Sequence, residues 1–542
     1  MTEMTGGDAL VQSLKIEGVQ TIFGLPGVQL DWAFDALWRA RDELRVLNTR
    51  HEQATAYMAD GYARTTGKVG TALVVPGPGL LNATGALSTA YACNSPVLMV
   101  SGQVQSDLIE SGRGLLHEIP NQLGMVRSVT KWAGRAMTPQ EVPGLVHHAF
   151  QELQSGRRRP VEIEVPPDVL QKRADVTLLE PYQPDREQPD PDLIEQAARA
   201  LGQAERPLIF SGGGIPGSGA WEELQRLAEM LAAPVIMTEN GRGALSDRHP
   251  LALTPLTSPV LTPQADVILA VGTRFLQPLT MPWGPKPGQT VIRLDVDPEE
   301  ITRVTKPEIG IVADAKAGLA ALIERVQRHN RSRDRREREE ELAALKAEAR
   351  AQWDGIQPQA GYAMAIRAEL PEDGIFVSEM TQIGYWSRQG FPVYQPRTFV
   401  GAGYQGTLGF GFGTALGVAV GNPDRKVVSI SGDGGFGYQM QELGTLMNHG
   451  ITNLVTIVFN DSAYGNVRRT QRLQFNNQIL ATDLRNPDYV KLAEAFGMAG
   501  ARATSPEELR HHLHTALADS QPTLIEVPLG EVPSVWGVAL RR

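Results

Sequence analysis

Two oxygen-bearing side chains stand at equivalent places in the last third of this 542-residue sequence. Asp433 follows the apolar run KVVSIS, and Asn460 ends the apolar run NLVTIVF, 460 − 433 = 27 residues later. One helix and its return to the next parallel strand need about that length, so both side chains are expected in one crevice at the carboxyl ends of neighbouring strands. A carboxylate, an amide oxygen and a loop carbonyl are suitable ligands for a Mg²⁺ ion that also binds phosphate oxygens.

The glycines beside Asp433 extend this prediction. Gly434 and Gly435, in the segment GDGG, allow backbone N–H groups to approach phosphates near the start of a following helix. The pattern therefore predicts a diphosphate site with a bridging metal. The alternative is a turn aspartate and a turn asparagine without a ligand, which Gly-rich loops also produce.

The elements that must position these residues predict an α/β fold with three consecutive α/β domains and central, mostly parallel sheets. Short apolar strands such as TIFGLPG, TALVVPGPG and PVLMVSGQV alternate with helical patterns and glycine turns. We predict an N-terminal domain over residues 1–175, a central Rossmann-like domain over 190–328 and a C-terminal domain over 350–542. Residues 173–191 contain four prolines and are predicted as a linker. The charged stretch after residue 328 is predicted as a solvated helix that joins two domains.

The composition excludes several classes of partner. The formal net charge is −10, which argues against a sequence-independent grip on nucleic acid or anionic lipid. No run of about 18 apolar residues occurs, so no membrane span is expected. The only cysteine, Cys93, cannot form an intramolecular disulfide, and the first residues lack a signal-peptide pattern. A cytoplasmic protein that acts on small molecules is therefore expected.

The segment GDGG, a spacer and the dipeptide ND together resemble the thiamine-diphosphate motif. Phe459 replaces the first asparagine of the usual pair, whereas Asn460 is kept. The resemblance implies a thiamine-diphosphate-binding fold in both the first and the last domain. It also implies that Asp433 and Asn460 bind Mg²⁺ through their side chains and Ser462 through its backbone carbonyl, with Tyr464 among the cofactor contacts.

Other segments resemble the remaining parts of such a cofactor site. Glu52, in RHEQATAYMADGYAR, resembles the acid that holds N1′ of the pyrimidine, so that the cofactor's own amino group can deprotonate C2; alternatively it is a favourable carboxylate in a first helical turn. Leu408 resembles the apolar prop between the two cofactor rings, and the Gly406 carbonyl resembles the contact to the amino group. Buried helix packing is the alternative for this glycine-spaced segment. Thr381 and Gln382, in VSEMTQIGYW, resemble phosphate contacts.

The order of the three blocks resembles the acetolactate synthase, pyruvate oxidase and pyruvate decarboxylase family, and comes closest to acetolactate synthase large subunits. This implies a homodimer or homotetramer in which Glu52 of one subunit meets the diphosphate site of another. His117 stands where acetolactate synthases carry a glutamine, and is either a proton relay or an interior histidine. Gln103 matches a glutamine close to the reacting carbon, or caps a strand end. Gln29 falls where some benzaldehyde lyases and diketone hydrolases place a histidine.

The resemblance implies an enzyme that decarboxylates a 2-keto acid and ligates the resulting enamine to a second carbonyl. A lyase that cleaves a 2-hydroxy ketone, a 2-hydroxyacyl-CoA or a cyclic diketone is the main alternative. Because of the segment GGGIPG at residues 212–217, a flavin- or NAD-binding oxidoreductase is a further alternative. An inactive scaffold protein that binds the cofactor is another. The stretch GTRFLQPLTMPWG keeps Arg274 and Phe275 but not the carboxylates of FAD-bearing relatives, so the middle domain is expected to be structural, with FAD as the alternative.

Overall fold

Three parallel six-stranded sheets organise the chain. The structure, a computed structural model, describes residues 1–275 and 284–536. Every pairing within each of the three sheets is parallel, which confirms the predicted α/β class. Each sheet lies inside one of the three predicted domain ranges, whose boundaries stay a prediction.

The first sheet has the strand order β3-β2-β4-β5-β7-β6. The strands of this part of the chain are β1 (Thr2–Thr5), β2 (Thr21–Gly24), β3 (Arg45–Asn48), β4 (Gly70–Val74), β5 (Val97–Gly102), β6 (Trp132–Arg135), β7 (Val161–Val165) and β8 (Arg173–Val176). The helices are α1 (Gly6–Ile16), α2 (Asp31–Arg39), α3 (Glu52–Thr66), α4 (Pro78–Cys93), α5 (Gln122–Val126), α6 (Val142–Gln154) and α7 (Pro167–Gln171).

The predicted linker over residues 173–191 is wrong at its beginning. Its first residues form β8, which pairs antiparallel with β1 in a separate two-stranded sheet. Val176 is buried there among the apolar residues of the first domain. The alternation of the segment RADV was hidden by the prolines that follow it.

The second sheet has the order β11-β10-β9-β12-β13-β14. Its strands are β9 (Pro207–Ser211), β10 (Val235–Met237), β11 (Ala252–Leu253), β12 (Val267–Val271), β13 (Thr290–Asp295) and β14 (Ile309–Val312). The helices are α8 (Pro191–Gln203), α9 (Gly214–Ser218), α10 (Trp221–Leu231), α11 (Ser258–Leu261), α12 (Pro298–Thr302) and α13 (Ala315–His329).

The third sheet has the order β16-β15-β17-β18-β20-β19. Its strands are β15 (Ile375–Ser378), β16 (Phe399–Gly401), β17 (Val427–Gly432), β18 (Leu454–Asn460), β19 (Ala499–Arg502) and β20 (Thr523–Pro528). The helices are α14 (Arg335–Asp354), α15 (Gln359–Glu369), α16 (Gln382–Gly390), α17 (Phe410–Gly421), α18 (Asp433–Phe436), α19 (Leu443–Asn448), α20 (Gly465–Gln474), α21 (Tyr489–Ala495) and α22 (Pro506–Asp519). The charged α14 is largely exposed, but Leu342 and Trp353 anchor it in the neighbouring cores.

One contact joins the first and third domains through glycines. Helix α3 packs against α17 at backbone distance: a Cβ added to Gly417 would lie 1.9 Å from the Met58 carbonyl oxygen, and one added to Gly61 would lie 2.2 Å from the Thr414 carbonyl oxygen. Tyr57 lies in the same contact and meets Phe410 edge to face. A single apolar core therefore runs through both domains.

We expect Gly417→Ala to destabilise the protein, because the added methyl group has no room between the two helices. The free energy of unfolding should fall by about 1–3 kcal/mol, as for other overpacked cores, and thermal unfolding should show a lower midpoint. Gly144→Ala in α6 is the matched control, since its Cβ would meet nothing within 4 Å. Equal midpoints for Gly417→Ala and the wild type would contradict the close approach of α3 and α17.

Candidate active site

Asp433 and Asn460 are neighbours at the carboxyl ends of adjacent strands. Strands β17 and β18 pair in parallel, with Gly432 opposite Phe459, so the next residues, Asp433 and Asn460, stand at the same level at the ends of their strands. The 27-residue spacing is thus the register offset of these two strands. Asp433 is buried at the start of the short helix α18.

The side-chain oxygens of this pair converge on one point. The amide nitrogen of Asn486 lies 2.6 Å from Oδ2 of Asp433 and 2.9 Å from Oδ1 of Asn460. The other end of the Asn460 amide donates to Glu526 at 2.8 Å, which fixes its orientation. Two potential ligand oxygens therefore face a single electropositive group. Asn486 was not predicted, and nothing in its local sequence distinguishes it.

Negative charge is concentrated at this edge of the sheet. Burial, together with the charge of the neighbouring Asp433 carboxylate, raises the pKa of Asp461 to about 7. Ser462, exposed and in the left-handed region with φ +52°, turns the chain directly after these residues. A cation at the convergence point would relieve the repulsion between the carboxylates.

Tyr464 and Gly434 form one wall of this crevice. A Cβ on Gly434 would lie 2.8 Å from the Tyr464 ring, so only glycine fits there beside the aromatic side chain. The Tyr464 backbone N–H donates to the Thr482 carbonyl at 2.8 Å. The predicted cofactor-binding residues at 433–435 and 460–464 thus come together on adjoining loops.

Glu379 is a buried acid that links two predicted cofactor-binding loops. It accepts a hydrogen bond from the Gly409 N–H at 2.6 Å, at the start of α17. A Cβ on Gly435 would lie 2.3 Å from its carboxylate oxygen. Burial raises the pKa of Glu379 to about 7, against a lowering effect from its hydrogen bonds to Ser431 and backbone amides. Its signal in the sequence was an acid placed directly after an apolar strand.

The remaining predicted residues of the third domain lie on segments close in sequence to Glu379 and to Gly409. Thr381 is the N-cap residue of helix α16, and Gln382 is its first residue. The Gln382 side-chain oxygen accepts a hydrogen bond from Arg469 at 3.3 Å. Gly406 has φ +57°, and Leu408 is partly exposed on the loop that leads to Gly409. These four positions line the loops at the carboxyl ends of β15 and β16.

In the first domain, Gln29 and His117 form a pair. His117 Nδ1 lies 2.9 Å from Oε1 of Gln29, and the Gln29 amide donates to the Leu116 carbonyl at 3.0 Å. His117 has φ +68°, and its carbonyl lies against Gly77, where a Cβ would come within 2.2 Å. Two residues predicted separately therefore belong to one unit.

Gln103 is held by a buried polar network that the sequence analysis missed. Its amide donates to Glu164 at 3.0 Å. Gln122 also donates to Glu164 and accepts from the Gly77 N–H at 2.8 Å, which ties the network to the loop beside His117. Burial and the adjacent Glu164 carboxylate hold the pKa of Glu162 well above its usual range. Two acids alternating within an apolar strand, VEIEV, were the available signal.

Glu52 is the first residue of α3 and is partly exposed. Its Oε2 accepts a hydrogen bond from Asn82 at 3.0 Å, and its Cγ lies 3.7 Å from a Cβ built on Gly79. Its carboxylate thus lies beside the first turns of α4. Within the described residues of one chain, Glu52 and Asp433 share no hydrogen bond or ion pair. We call the predicted residues of the first domain and those of the third domain the first-domain and third-domain clusters.

Comparison with known proteins identifies the family. Three models of thiamine pyrophosphate enzymes match: the N-terminal TPP binding domain over residues 4–125, the central domain over 194–322 and the C-terminal TPP binding domain over 379–527. The chain therefore belongs to the thiamine pyrophosphate enzymes.

Named relatives match over nearly the whole chain. A probable acetolactate synthase large subunit from Methanocaldococcus jannaschii is 34% identical over 97% of this chain and 92% of its own length. The acetolactate synthase isozyme 2 large subunit of Escherichia coli is 31% identical over 98% and 97%. A probable 2-ketoarginine decarboxylase from Pseudomonas aeruginosa is 34% identical over 97% and 94%.

The titration of Glu379 predicts a specific pH dependence of stability. Its pKa in the folded protein is about 7 against an ordinary value of 4.5, so the folded state holds the proton more tightly. Stability is then lost as the pH rises from 4.5 through 7. Glu379→Gln removes this ionisation. The free energy of unfolding of the variant, relative to that of the wild type, should therefore rise by about 3 kcal/mol over that pH range.

The measurement is denaturant or thermal unfolding of both proteins from pH 5 to pH 8. The exposed Glu222→Gln in α10 is the control and should leave the pH dependence unchanged. Parallel stability curves for Glu379→Gln and the wild type would show that Glu379 is ionised throughout.

Proposed function

We propose that the protein is a thiamine-diphosphate-dependent carboligase of the acetolactate synthase type. It would decarboxylate a 2-keto acid and ligate the remaining acyl unit to a second carbonyl compound. The convergence of the Asp433 and Asn460 oxygens on one point, within a domain of the matching family, carries the proposal. The named acetolactate synthase relatives support the reaction type.

The third-domain cluster fits a Mg²⁺ ion that holds the diphosphate. Asp433 offers a carboxylate oxygen, Asn460 an amide oxygen and Ser462 a backbone carbonyl, and these hard oxygen donors suit Mg²⁺. No cluster of three His, Cys, Asp or Glu side chains was found in residues 1–275 and 284–536, and this ligand set does not require one. We propose Gly434, Gly435, Thr381, Gln382 and Tyr464 as further contacts to the diphosphate end.

The first-domain cluster is proposed to hold the pyrimidine end and the substrate. Bound thiamine diphosphate supplies a carbon nucleophile that attacks carbonyl groups. Glu52 would hold a proton toward N1′ of the pyrimidine. Gln103, fixed by its hydrogen bond to Glu164, and the Gln29–His117 pair would orient the substrate carboxylate and carbonyl.

Leu408 and Gly406 are proposed to set the shape of the cofactor. The partly exposed Leu408 side chain would stand between the two rings, and the Gly406 carbonyl would accept from the amino group. Glu379 anchors the loop that carries both, through its hydrogen bond from Gly409. This arrangement would keep the loop in place while substrate enters and product leaves.

A second candidate is a decarboxylase or lyase without ligation. His117 supports it, because a histidine paired with Gln29 through Nδ1 keeps a second ring nitrogen for proton transfer to a substrate carbon. The relative named 2-ketoarginine decarboxylase keeps this candidate open for the present chain.

A homodimer is the smallest assembly we propose, with a homotetramer as the alternative. Large apolar side chains are exposed beside both clusters, as expected for surfaces that another subunit covers. They are Val28, Leu81, Leu116, Tyr438, Met440, Val467, Leu473, Phe475 and Leu480. Glu52 of one subunit would then face the Asp433 cluster of the other.

We propose a structural middle domain and a cytoplasmic location. The N–H groups of Gly212 and Gly214 donate to the carbonyls of Val271 and Gly272 at 3.1 and 2.9 Å, so GGGIPG does not offer these amides to a dinucleotide. Residues 276–283 of the stretch that would bind FAD lie outside the described residues. In the described chain no helix combines the length and apolarity of a membrane span.

The proposed reaction can be tested on its products. Holoenzyme is incubated with a panel of 2-keto acids, with and without acceptor aldehydes or ketones, and with acyloins, and the products are identified by mass spectrometry. Release of CO₂ with a new 2-hydroxy ketone or 2-hydroxy-3-keto acid supports the carboligase. CO₂ and an aldehyde without a ligation product favour the decarboxylase, and cleavage of acyloins without ligation favours the lyase.

Glu52→Gln should reduce turnover by at least about 100-fold, because the amide cannot supply the acidic proton to N1′. Steady-state CO₂ release checks this, with calorimetry to verify that cofactor still binds. Glu180→Gln, at an exposed position, is the control. Normal turnover in Glu52→Gln would remove Glu52 from the catalytic machinery.

Asp433→Ala should abolish Mg²⁺-dependent binding of thiamine diphosphate, since it removes the charged metal ligand. Asn486→Ala should weaken it by about 10–100-fold, as residues that orient metal ligands do. Calorimetric titrations at several Mg²⁺ concentrations measure both effects, with the exposed Asp424→Ala as control. Unchanged affinity in Asp433→Ala would contradict the proposed metal site.

A further inference from the structure

A cavity at the junction of the three domains is lined by four arginines. It is open to solvent. The first domain contributes Arg64 and Arg158, the middle domain Arg242 and the third domain Arg397. Among the described residues that line it there is no aspartate or glutamate. The wall of the cavity is therefore strongly positive.

Two of these arginines are neutralised by carboxylates behind the wall. Arg242 forms an ion pair with Asp247 at 2.6 Å and donates to the carbonyls of Phe391 and Arg388. Arg64 lies 3.6 Å from the buried Asp60 and donates to the Gly401 carbonyl at 2.8 Å. These two side chains serve the fold and leave no net charge for a ligand.

The other two arginines have no carboxylate partner. Among the described residues, Arg397 donates only to the Pro216 carbonyl, at 2.9 and 3.3 Å, and Arg158 forms no hydrogen bond or ion pair. Asp314 lies beyond ion-pair distance of Arg158, although its charge still favours the charged form of Arg158. Asp314 is paired with Arg186 at 2.7 Å. The undescribed residues 276–283 and 537–542 contain no acidic side chain in the sequence.

Like charges without a counter-ion are costly at a partly buried site. Burial lowers the pKa of the Arg158 guanidinium, and burial together with the charge of Arg158 lowers the pKa of Arg397. Both guanidinium groups nevertheless stay charged at neutral pH. The structure thus brings two positive groups to one cavity and supplies no anion for them.

We propose that this cavity binds a small dianionic oxyanion group, such as a phosphoryl ester or a dicarboxylate, between Arg158 and Arg397. The planar guanidinium group binds two oxygens of such an anion at once. The GGGIPG loop forms part of the cavity wall. The amides of Gly212 and Gly214 do not face a ligand, because they donate to the carbonyls of Val271 and Gly272. The side chains, rather than a helix N-terminus, would recognise the ligand.

A ligand held here would bridge the three domains. Arg158 precedes β7 of the first domain, Arg397 precedes β16 of the third, and Pro216 of the middle domain binds Arg397. A ligand that binds only the folded protein raises its stability by RT ln(1 + [L]/Kd), so the thermal midpoint rises with ligand concentration. The site is independent of the proposed reaction, although Arg64 lies in the last turn of α3, whose first residue is Glu52.

The test uses the full-length protein saturated with thiamine diphosphate and Mg²⁺, so that the diphosphate site is filled. Inorganic phosphate and malonate are titrated separately at constant ionic strength, with chloride and acetate as monovalent references, and thermal midpoints and calorimetric affinities are recorded. We expect saturable binding of phosphate, malonate or both with a raised midpoint, and no such effect of the references. The preferred anion distinguishes a phosphoryl ligand from a dicarboxylate.

Arg158→Gln and the exposed Arg226→Gln form a matched pair that removes the same charge. Arg158→Gln should weaken anion binding by at least about tenfold, yet keep or raise the midpoint in anion-free buffer, because it removes an unpaired charge. Arg226→Gln should bind as the wild type does. Equal binding in Arg158→Gln, no saturable binding in the wild type, or a change of oligomeric state in Arg158→Gln would each overturn the proposal.

Discussion

The close packing of α3 on α17 holds the first and third domains together. Gly61 and Gly417 allow the two helix backbones to approach, and the contact continues into one apolar core shared by two domains. The middle of α3 therefore packs against residues of its own chain. Its first residue, Glu52, stays partly exposed at the edge of that contact, and its side chain is held by Asn82 of the same domain.

Buried acids fix the loops on both sides of the proposed site. Glu379 holds the start of α17 and lies against the GDGG loop, while Glu164 holds Gln103 and, through Gln122, the loop at Gly77. None of these carboxylates needs to touch the substrate. Their hydrogen bonds to backbone and side-chain amides give each loop one defined position, which a reaction that depends on orientation requires.

The sequence was informative wherever a function depends on a strand end. The spacing of 27 positions from Asp433 to Asn460 predicts their adjacency, because parallel strands with one intervening helix allow few other arrangements. The α/β class and the family follow from such local patterns. The same logic failed for β8, whose short alternation precedes a proline-rich segment, and for Asn486, which reaches Asp433 only through the tertiary fold.

Other contacts could not be predicted because they join residues far apart in the sequence. The Gln29–His117 pair spans 88 positions, and each residue alone allowed an interior role. The arginine cavity needs three domains to exist at all. Their assembly, rather than any motif, decides which charges lack a partner.

We propose that the first-domain cluster of one subunit and the third-domain cluster of another share one cofactor. Chains carrying Glu52→Gln and chains carrying Asp433→Ala, each with its own affinity tag, can be co-expressed and the mixed dimer purified. In the mixed dimer one site carries both changes and the other carries neither, so about half of the wild-type activity per dimer is expected. A mixed dimer as inactive as its two parents would place the whole site within one chain and contradict the account.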